Sequence, residues 1–523
     1  MKKLSDLQYL KLNKLQQFWY NFQMFLCAIP RFFVNVGKGI GKFFVKLALG
    51  IKNGVCDIGY TFAKGNWAVK LSFLIFGMGN LYYGQILRGL LFLFFEIIFL
   101  VYMFLPCGGL YWLQKGQWFQ IGATLGTQQG HMEKVETIPG FGGVDTWIPG
   151  DDSVKVMLYG LLTIIFVVAF IWTWRLQVKQ CRICMDITAS GKKVKSGKQD
   201  LQSLVDDQFH KSLLALPTAG ILFFTVLPII YMVLIAFTNY DYLNDGYANL
   251  FSWVGLENFN QLVDFGQGGM GLAFGEILSW TLIWAFFATF SNYFLGMFVA
   301  LMINKKGIKI KKFWRTVLVM TIAIPQFVSL LYVSHLFDSS GIIGKLLLDW
   351  NLIPESMRAA NQYSLWQNPT AAKIMVIVIN IWIGIPHIML MATGILMNIP
   401  ADLYESSKID GATGVQQYAK ITLPYMLFVT GPYLLTSFVG NLNNFNVIYL
   451  LSGGGPSKGL AGGATVGHTD LLITWLYKMT VDTAEQKYYL GSIIGIMVFL
   501  VVAVLSLIVY NVIPSTKSEE DFQ

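Results

Sequence analysis

The chain has 523 residues, 55% of them hydrophobic and only 13% charged, with a mean hydropathy of +0.55. Soluble domains carry about 25% charged residues, so a soluble globular enzyme is excluded. The net charge of +9 has no folded soluble domain to carry it as a basic face, which excludes nucleic acid as a natural partner.

In chain order, the first element is a basic stretch, with ten Lys/Arg against two acidic residues in 1–66. It lacks the short n-region and h-region of a cleavable signal. Residues 32–52, FFVNVGKGIGKFFVKLALGIK, read either as an interfacial helix on the inner leaflet or as a poorly ordered basic tail, since glycines weaken the helix. Residues 68–85 are too short an apolar run to span, interrupted by Gly77, Gly79 and Gly84. They read as a re-entrant or interfacial piece.

Eight apolar runs follow, at 87–105, 156–174, 213–238, 277–303, 316–337, 374–397, 425–451 and 490–512. Each is near the roughly 20 residues a transmembrane helix needs, and no two-residue alternation suggests a barrel. The expected fold is an all-α polytopic membrane protein of about eight transmembrane helices after an amphipathic or re-entrant amino-terminal region. Seven Lys/Arg in 175–198 and six in 304–315 join the basic amino terminus on the cytoplasmic side by the positive-inside rule. Both termini and residues 398–424 then fall inside. The outside connection 239–276 has no Lys or Arg.

Several features carry little. Glu96 is the acidic residue well inside a span, and such carboxyls often mark ion pathways; it is expected to meet Arg88, water or a headgroup. Cys181-Arg-Ile-Cys184 is a lone CxxC without the further ligands zinc needs, so no metal site is expected. Gly266 to Gly271 matches GxGxxG, but no strand and helix flank it as a dinucleotide site requires. His131, His210, His335 and His468 are scattered. No GxxxxGK[ST] occurs, so the chain has no ATP-binding loop of its own.

The polar run LYESSKIDGATGVQQYAKITLP, 403–424, lies between two spans. Pro400 suits a first helical turn, and Asp402 and Glu405 complement the positive helix end. Asp410-Gly411 signals a turn. Thr413-Gly-Val-Gln416 has the form of a capping box that starts a second helix, with Val415, Tyr418, Ala419 and Thr422 on one face. Pro424 marks the entry into the next span. Two short helices hinged at a glycine fit a groove on a partner, or serve as a connector.

Here the sequence resembles a known family. Glu405-Ser-Ser, Asp410-Gly411-Ala412 and Ile421-Thr-Leu-Pro424 are similar to the EAA loop of type I ABC importer permeases. The resemblance implies that Glu405, Ser406, Ser407, Asp410, Gly411 and Ala412 couple to a cytoplasmic ATPase. Ser406 and Ser407 stand where alanines are usual. FNVIYLLSGGGP and GHTDLLITWLYKMT (445–456 and 467–480) resemble the larger permease subunit of maltose/maltodextrin-type oligosaccharide importers. The amino-terminal region resembles Gram-positive members, and the large extracytoplasmic insertion of enterobacterial members is absent from 239–276.

Within the spans, Asn380, Gly384 and His387 share one helix face, as do Ser437, Gly440, Asn441 and Asn444. Polar side chains in hydrocarbon are costly unless satisfied, so these should face the bundle interior. Amides and hydroxyls suit sugar hydroxyls, with Trp382 or Phe445 available to stack. Small and amide residues also serve as interhelical glue. The resemblance implies a sugar site at Asn380, Ile383, Gly384, His387, Ser437, Gly440, Asn441 and Asn444, with His387 in place of a tyrosine and Gly440 in place of a phenylalanine. Asn443 and Asn446 read as packing or outer-mouth residues.

The organisation expected is 1–86 interfacial or re-entrant, 87–212 peripheral helices, 213–512 permease core with the coupling loop 400–424, and 513–523 a cytoplasmic tail. The resemblance implies a transporter subunit in a bacterial cell membrane, not an enzyme. It implies a second permease chain, two copies of an ATPase that uses ATP and Mg, and an extracellular sugar-binding protein or lipoprotein. The chain itself is expected to bind no cofactor.

Overall fold

The structure is a computed structural model. It describes residues 52–135, 144–148, 150–206, 209–247, 249–266, 269–305, 307–338, 340–350, 352 and 364–512, with isolated positions between 16 and 50. Most of the expected 32–52 helix and the 513–523 tail lie outside the described residues.

Seven described helices are long and apolar enough to cross a membrane, and a bent pair makes an eighth. The chain is therefore a multi-pass membrane protein. The main helices are α1 (Ile86–Phe104), α2 (Ser153–Ala189), α3 (Phe209–Ile235), α4 (Met270–Asn304), the bent pair α5 (Lys311–Ala323) and α6 (Gln326–Leu336), α7 (Pro369–Leu396), α8 (Ala401–Ile409), α9 (Gly414–Leu442), α10 (Phe445–Ser452), α11 (Leu472–Tyr477) and α12 (Tyr488–Val512). Two antiparallel hairpins lie in connections: β1 (His131–Val135) with β2 (Val144–Ile148), and β3 (Ser457–Ala461) with β4 (Ala464–Gly467). Two compact units emerge, Met1–Met232 with Gly246–Trp253, and Val233–Asp245 with Val254–Gln523.

In the first unit, α1 and α2 meet through aromatic rings. Phe99 stacks on Phe170 at 3.8 Å, and Phe95 meets Phe166 edge-on at 5.6 Å. The glycine-interrupted segment 68–85 forms two short helices, Trp67–Leu71 and Met78–Tyr82, with irregular chain between. Buried irregular backbone needs its polar groups satisfied, and here side chains do so. The Phe76 N–H donates to Glu96 Oε2 at 2.8 Å, Gln177 Nε2 to the Ser72 carbonyl at 2.5 Å, and Trp174 Nε1 to the Phe73 carbonyl at 3.2 Å. Glu96 thus holds backbone. Gly77 sits at φ +82°, and a Cβ there would fall 2.1 Å from the Gly89 carbonyl oxygen. The CxxC thiols are buried and donate to Asn80 Oδ1 at 3.5 Å and Gln85 Oε1 at 3.4 Å.

In the second unit, α4 and α7 pack closely: a Cβ at Gly296 would lie 2.4 Å from Ile388 Cβ. The span expected over 316–337 is broken, with α5 and α6 bent by 92°. Pro325 supplies no N–H and drives Ile324 out of the helical region, to φ −81°, ψ 127°. The run 425–451 is likewise two helices rather than one. Asn443 ends α9, and Asn444 caps α10 by accepting from the Val447 N–H at 3.3 Å; short amide side chains compete with the helix for backbone groups.

Pro424 stands in the first turn of the α-helix Leu423–Leu442, at the entry into the span, without a break from the second loop helix. The helix runs unbroken from Gly414 to Leu442 through a π-type turn at Tyr418–Thr422. Widening the turn before a proline accommodates its missing N–H without a stop.

Candidate functional site

A cavity of about 470 Å³ opens among α4, the α5–α6 break, α7 and α9. Asn380, Ile383, Gly384, His387, Ser437 and Asn441 line it, so one face of α7 and one of α9 converge as their spacing requires. Such a volume lies within the range of small-molecule sites. No Asp, Glu, Lys or Arg is among the lining residues. The wall offers amides, hydroxyls and an imidazole, with the indole of Trp382 and the ring of Tyr433 alongside.

Two sequence-selected residues stand apart from the cavity wall. Asn444 caps α10, and its Nδ2 donates to Asn441 Oδ1 at 3.2 Å. Asn441 in turn donates to Thr289 Oγ1 at 3.0 Å, so Asn444 orients a lining residue. Gly440 is exposed, and a Cβ built there meets nothing within 4 Å. Phe445 is not a stacking platform for the cavity. Its ring is stacked on Tyr449 at 4.8 Å and meets Tyr477 edge-on at 4.9 Å.

A whole wall was missed by reading the sequence: Asn292 on α4, and Thr321, Gln326 and Ser329 around the break. Pro325 inside an apolar run was the available signal for the break. Asn292 had none, because a single amide in a long apolar helix fits packing equally well.

The second candidate site is the polar loop. Gly411, at φ +75°, ends α8 in the left-handed conformation that glycine adopts freely. Thr413 and Gln416 form the capping box: the Thr413 N–H donates to Gln416 Oε1 at 2.8 Å, and the Gln416 N–H to Thr413 Oγ1 at 3.4 Å. The two helices are tied side by side. Gln417 Nε2 donates to the Tyr404 carbonyl at 3.1 Å and to Ser407 Oγ at 2.8 Å, and the Tyr404 and Thr422 hydroxyls bond at 2.8 Å. Ser406 and Ser407 return their own protons to the carbonyls of Asp402 and Tyr404, so neither hydroxyl needs a partner. Glu405, Asp410 and Gly411 are exposed. So are Ile409 at 88% and Val415 at 77%, an apolar pair on a polar tip.

A bundle of membrane-spanning helices around a cavity without formal charge, with an exposed polar helical hairpin between two spans, fits the architecture of a transporter permease. Residues 292–518 match the family of binding-protein-dependent transport system inner membrane components. The chain is 32% identical to the maltodextrin transport system permease protein MdxF of Bacillus subtilis, over 71% of this chain and 85% of that one. It is 31% identical to the maltodextrin transport system permease protein MalC of Streptococcus pneumoniae, over 86% and 96%. It is 30% identical to the galactooligosaccharides transport system permease protein GanP of Bacillus subtilis, over 85% and 97%. The chain belongs to this family of ABC-transporter permease subunits.

Proposed function

We propose that this chain forms half of the translocation pathway of an ATP-driven importer for maltodextrin-type oligosaccharides. The observation that carries the reading is the cavity itself. It is free of formal charge, and among its apolar side chains it sets amides and hydroxyls that match the donor-and-acceptor character of sugar hydroxyls. Asn380, Ile383, Gly384, His387, Ser437 and Asn441 contact the sugar; Asn444 acts by holding Asn441, and Gly440 leaves open space on the same helix. The missing tyrosine at His387 and phenylalanine at Gly440 favour a longer or differently linked oligosaccharide.

A second, different permease chain completes the pore. Two copies of a cytoplasmic ATPase bind the Glu405–Ala412 turn and hydrolyse ATP with Mg, and an extracellular sugar-binding protein delivers substrate. Both termini and the loop are assigned to the cytoplasmic side, a reading supported by the basic segments 1–66, 175–198 and 304–315 through the positive-inside rule. Ile409 and Val415 would be buried against the ATPase, each contributing about 1.5–3 kcal/mol if fully covered. The continuous α9 is the mechanical link. At 1.5 Å per residue it runs roughly 35 Å from Gly414 to Ser437, so the dock and the cavity wall share one continuous helix, through the π-type turn and Pro432.

The test is co-purification of the tagged chain with its neighbours, wild type beside Gly411→Trp, followed by uptake of a maltooligosaccharide and galactooligosaccharide panel. The wild type is expected to bring down an ATPase and a second permease, and the variant to lose the ATPase selectively. A stable wild type that captures no ATPase even after mild crosslinking would sink the reading.

A further inference from the structure

We infer that Asn292 is a specificity-determining residue of the cavity: its amide, with that of Asn380, reads a sugar hydroxyl, and Gly384 is glycine in order to admit it. The inference rests on the oligosaccharide reading above and adds residues to it.

The geometry begins with the missing side chain. A Cβ at Gly384 would lie 2.3 Å from Asn292 Nδ2, 2.5 Å from its Cγ and 2.7 Å from its Oδ1. The amide of Asn292 on α4 therefore occupies the space that any larger residue on α7 would take. Asn380 lies one turn earlier on the same face of α7, and both residues line the cavity.

The hydrogen-bond accounting then separates recognition from packing. Interhelical polar groups that act as glue are satisfied across the helix pair, as the Tyr293 and Thr430 hydroxyls satisfy each other at 2.8 Å. Asn292 Oδ1 and Asn380 Nδ2 are not: both atoms are sealed from solvent without a hydrogen-bond partner, and Asn380 is only 6% exposed. Buried polar atoms are satisfied in the great majority of cases, and of the unmatched buried atoms among the described residues only these two belong to side chains that line the cavity, which fits amides left open for a ligand there. One is an acceptor and the other a donor. A hydroxyl is the group that both gives a proton and accepts one, whereas a carboxylate ligand would leave Asn292 Oδ1 unmatched. A site built on such atoms discriminates steeply against an analogue that lacks the hydroxyl.

The experiment uses the complete importer in proteoliposomes with saturating sugar-loaded binding protein. The readout is the maximal uptake rate of maltotriose relative to each of its monodeoxy analogues. Wild type is expected to transport at least one analogue about tenfold or more slowly than maltotriose. Asn292→Ala should collapse that one preference toward unity while leaving preferences at other hydroxyls in place. Gly384→Ala, which displaces the Asn292 amide, should do the same. Asn292→Ser serves if the alanine variant does not assemble. An assembled Asn292→Ala importer with the wild-type discrimination profile overturns the inference and leaves the importer reading standing. So does failure of both Asn292 variants to assemble, because it assigns the residue to packing. A wild-type importer that moves no maltooligosaccharide overturns the substrate reading and the inference together.

Discussion

Polar side chains are buried in both units of this chain, and two clusters of them, one in each unit, treat their hydrogen bonds in opposite ways. Around segment 68–85, Glu96, Gln177, Trp174 and the Cys181 and Cys184 thiols each meet a specific backbone or side-chain group. That cluster is closed, and its polarity is used to hold a glycine-broken stretch of backbone. In the cavity, Asn292 Oδ1 and Asn380 Nδ2 stay unmatched. An unsatisfied buried amide costs stability that a hydrocarbon side chain would not, and on the reading proposed above a sugar hydroxyl would offset that cost. The comparison teaches that buried polarity says little about function until the hydrogen bonds have been counted.

The sharpest break in the comparison comes from Gly77→Val. The left-handed backbone and the 2.1 Å approach to Gly89 leave no place for a branched side chain, so a loss of more than about 4 kcal/mol is expected. Size-exclusion of a fluorescent fusion should show aggregation; a monodisperse variant with wild-type melting would mean the segment is not pinned as described.

Next in size, Glu96→Leu strands the buried Phe76 N–H and should cost about 1–3 kcal/mol. Glu96→Gln keeps an acceptor and should stay close to wild type. Equal melting temperatures for the two would remove Glu96 from the backbone-holding role.

Asn380→Leu should move stability the other way. Replacing an unmatched buried donor by a hydrocarbon of similar size should leave melting unchanged or raise stability by up to about 2 kcal/mol, while sugar uptake falls. A clear drop in melting temperature would show that Asn380 is packing, and would erase the difference between the two units.

The smallest effect is pH-dependent. Asp151 lies in the β2–α2 connection and pairs with Lys115. Burial works against its charge, but the Lys115 hydrogen bond and the Thr127 and Gln128 N–H groups outweigh it and hold its pKa below the ordinary carboxylate value. A depressed folded-state pKa contributes stability that is complete above the unfolded value, near pH 4, and is lost as pH falls toward the folded one. Hydrogen exchange in peptides covering 115–128, corrected for intrinsic rates, should accelerate below about pH 4. Lys115→Ala should weaken that dependence, and an unchanged dependence would remove the ion pair from the account.

Much of the molecule was legible in local chemistry. Apolar run length located the spans, and Asp410-Gly411 and the Thr413–Gln416 box located the hinge. Spacing on α7 and α9 placed the polar faces that line the cavity. These features depend on residues within a turn or two of each other, and the sequence alone determined them. Where a break occurred inside an apolar run, hydropathy was blind: Pro325 and the Asn443-Asn444 pair each divided what read as one span.

Other features depended on which faces meet across the bundle, and only the tertiary structure decided those. Asn292 lies 92 positions from the glycine that makes room for it, and Glu96 lies 20 from the N–H it holds. The same amide or carboxyl in an apolar helix reads alike whether it is satisfied, paired across helices or left open for a ligand. Its partner is chosen by the packing of α4 on α7, or of segment 68–85 on α1 and α2, and hydrogen bonding acts over about 3 Å. No local pattern along the chain records that distance.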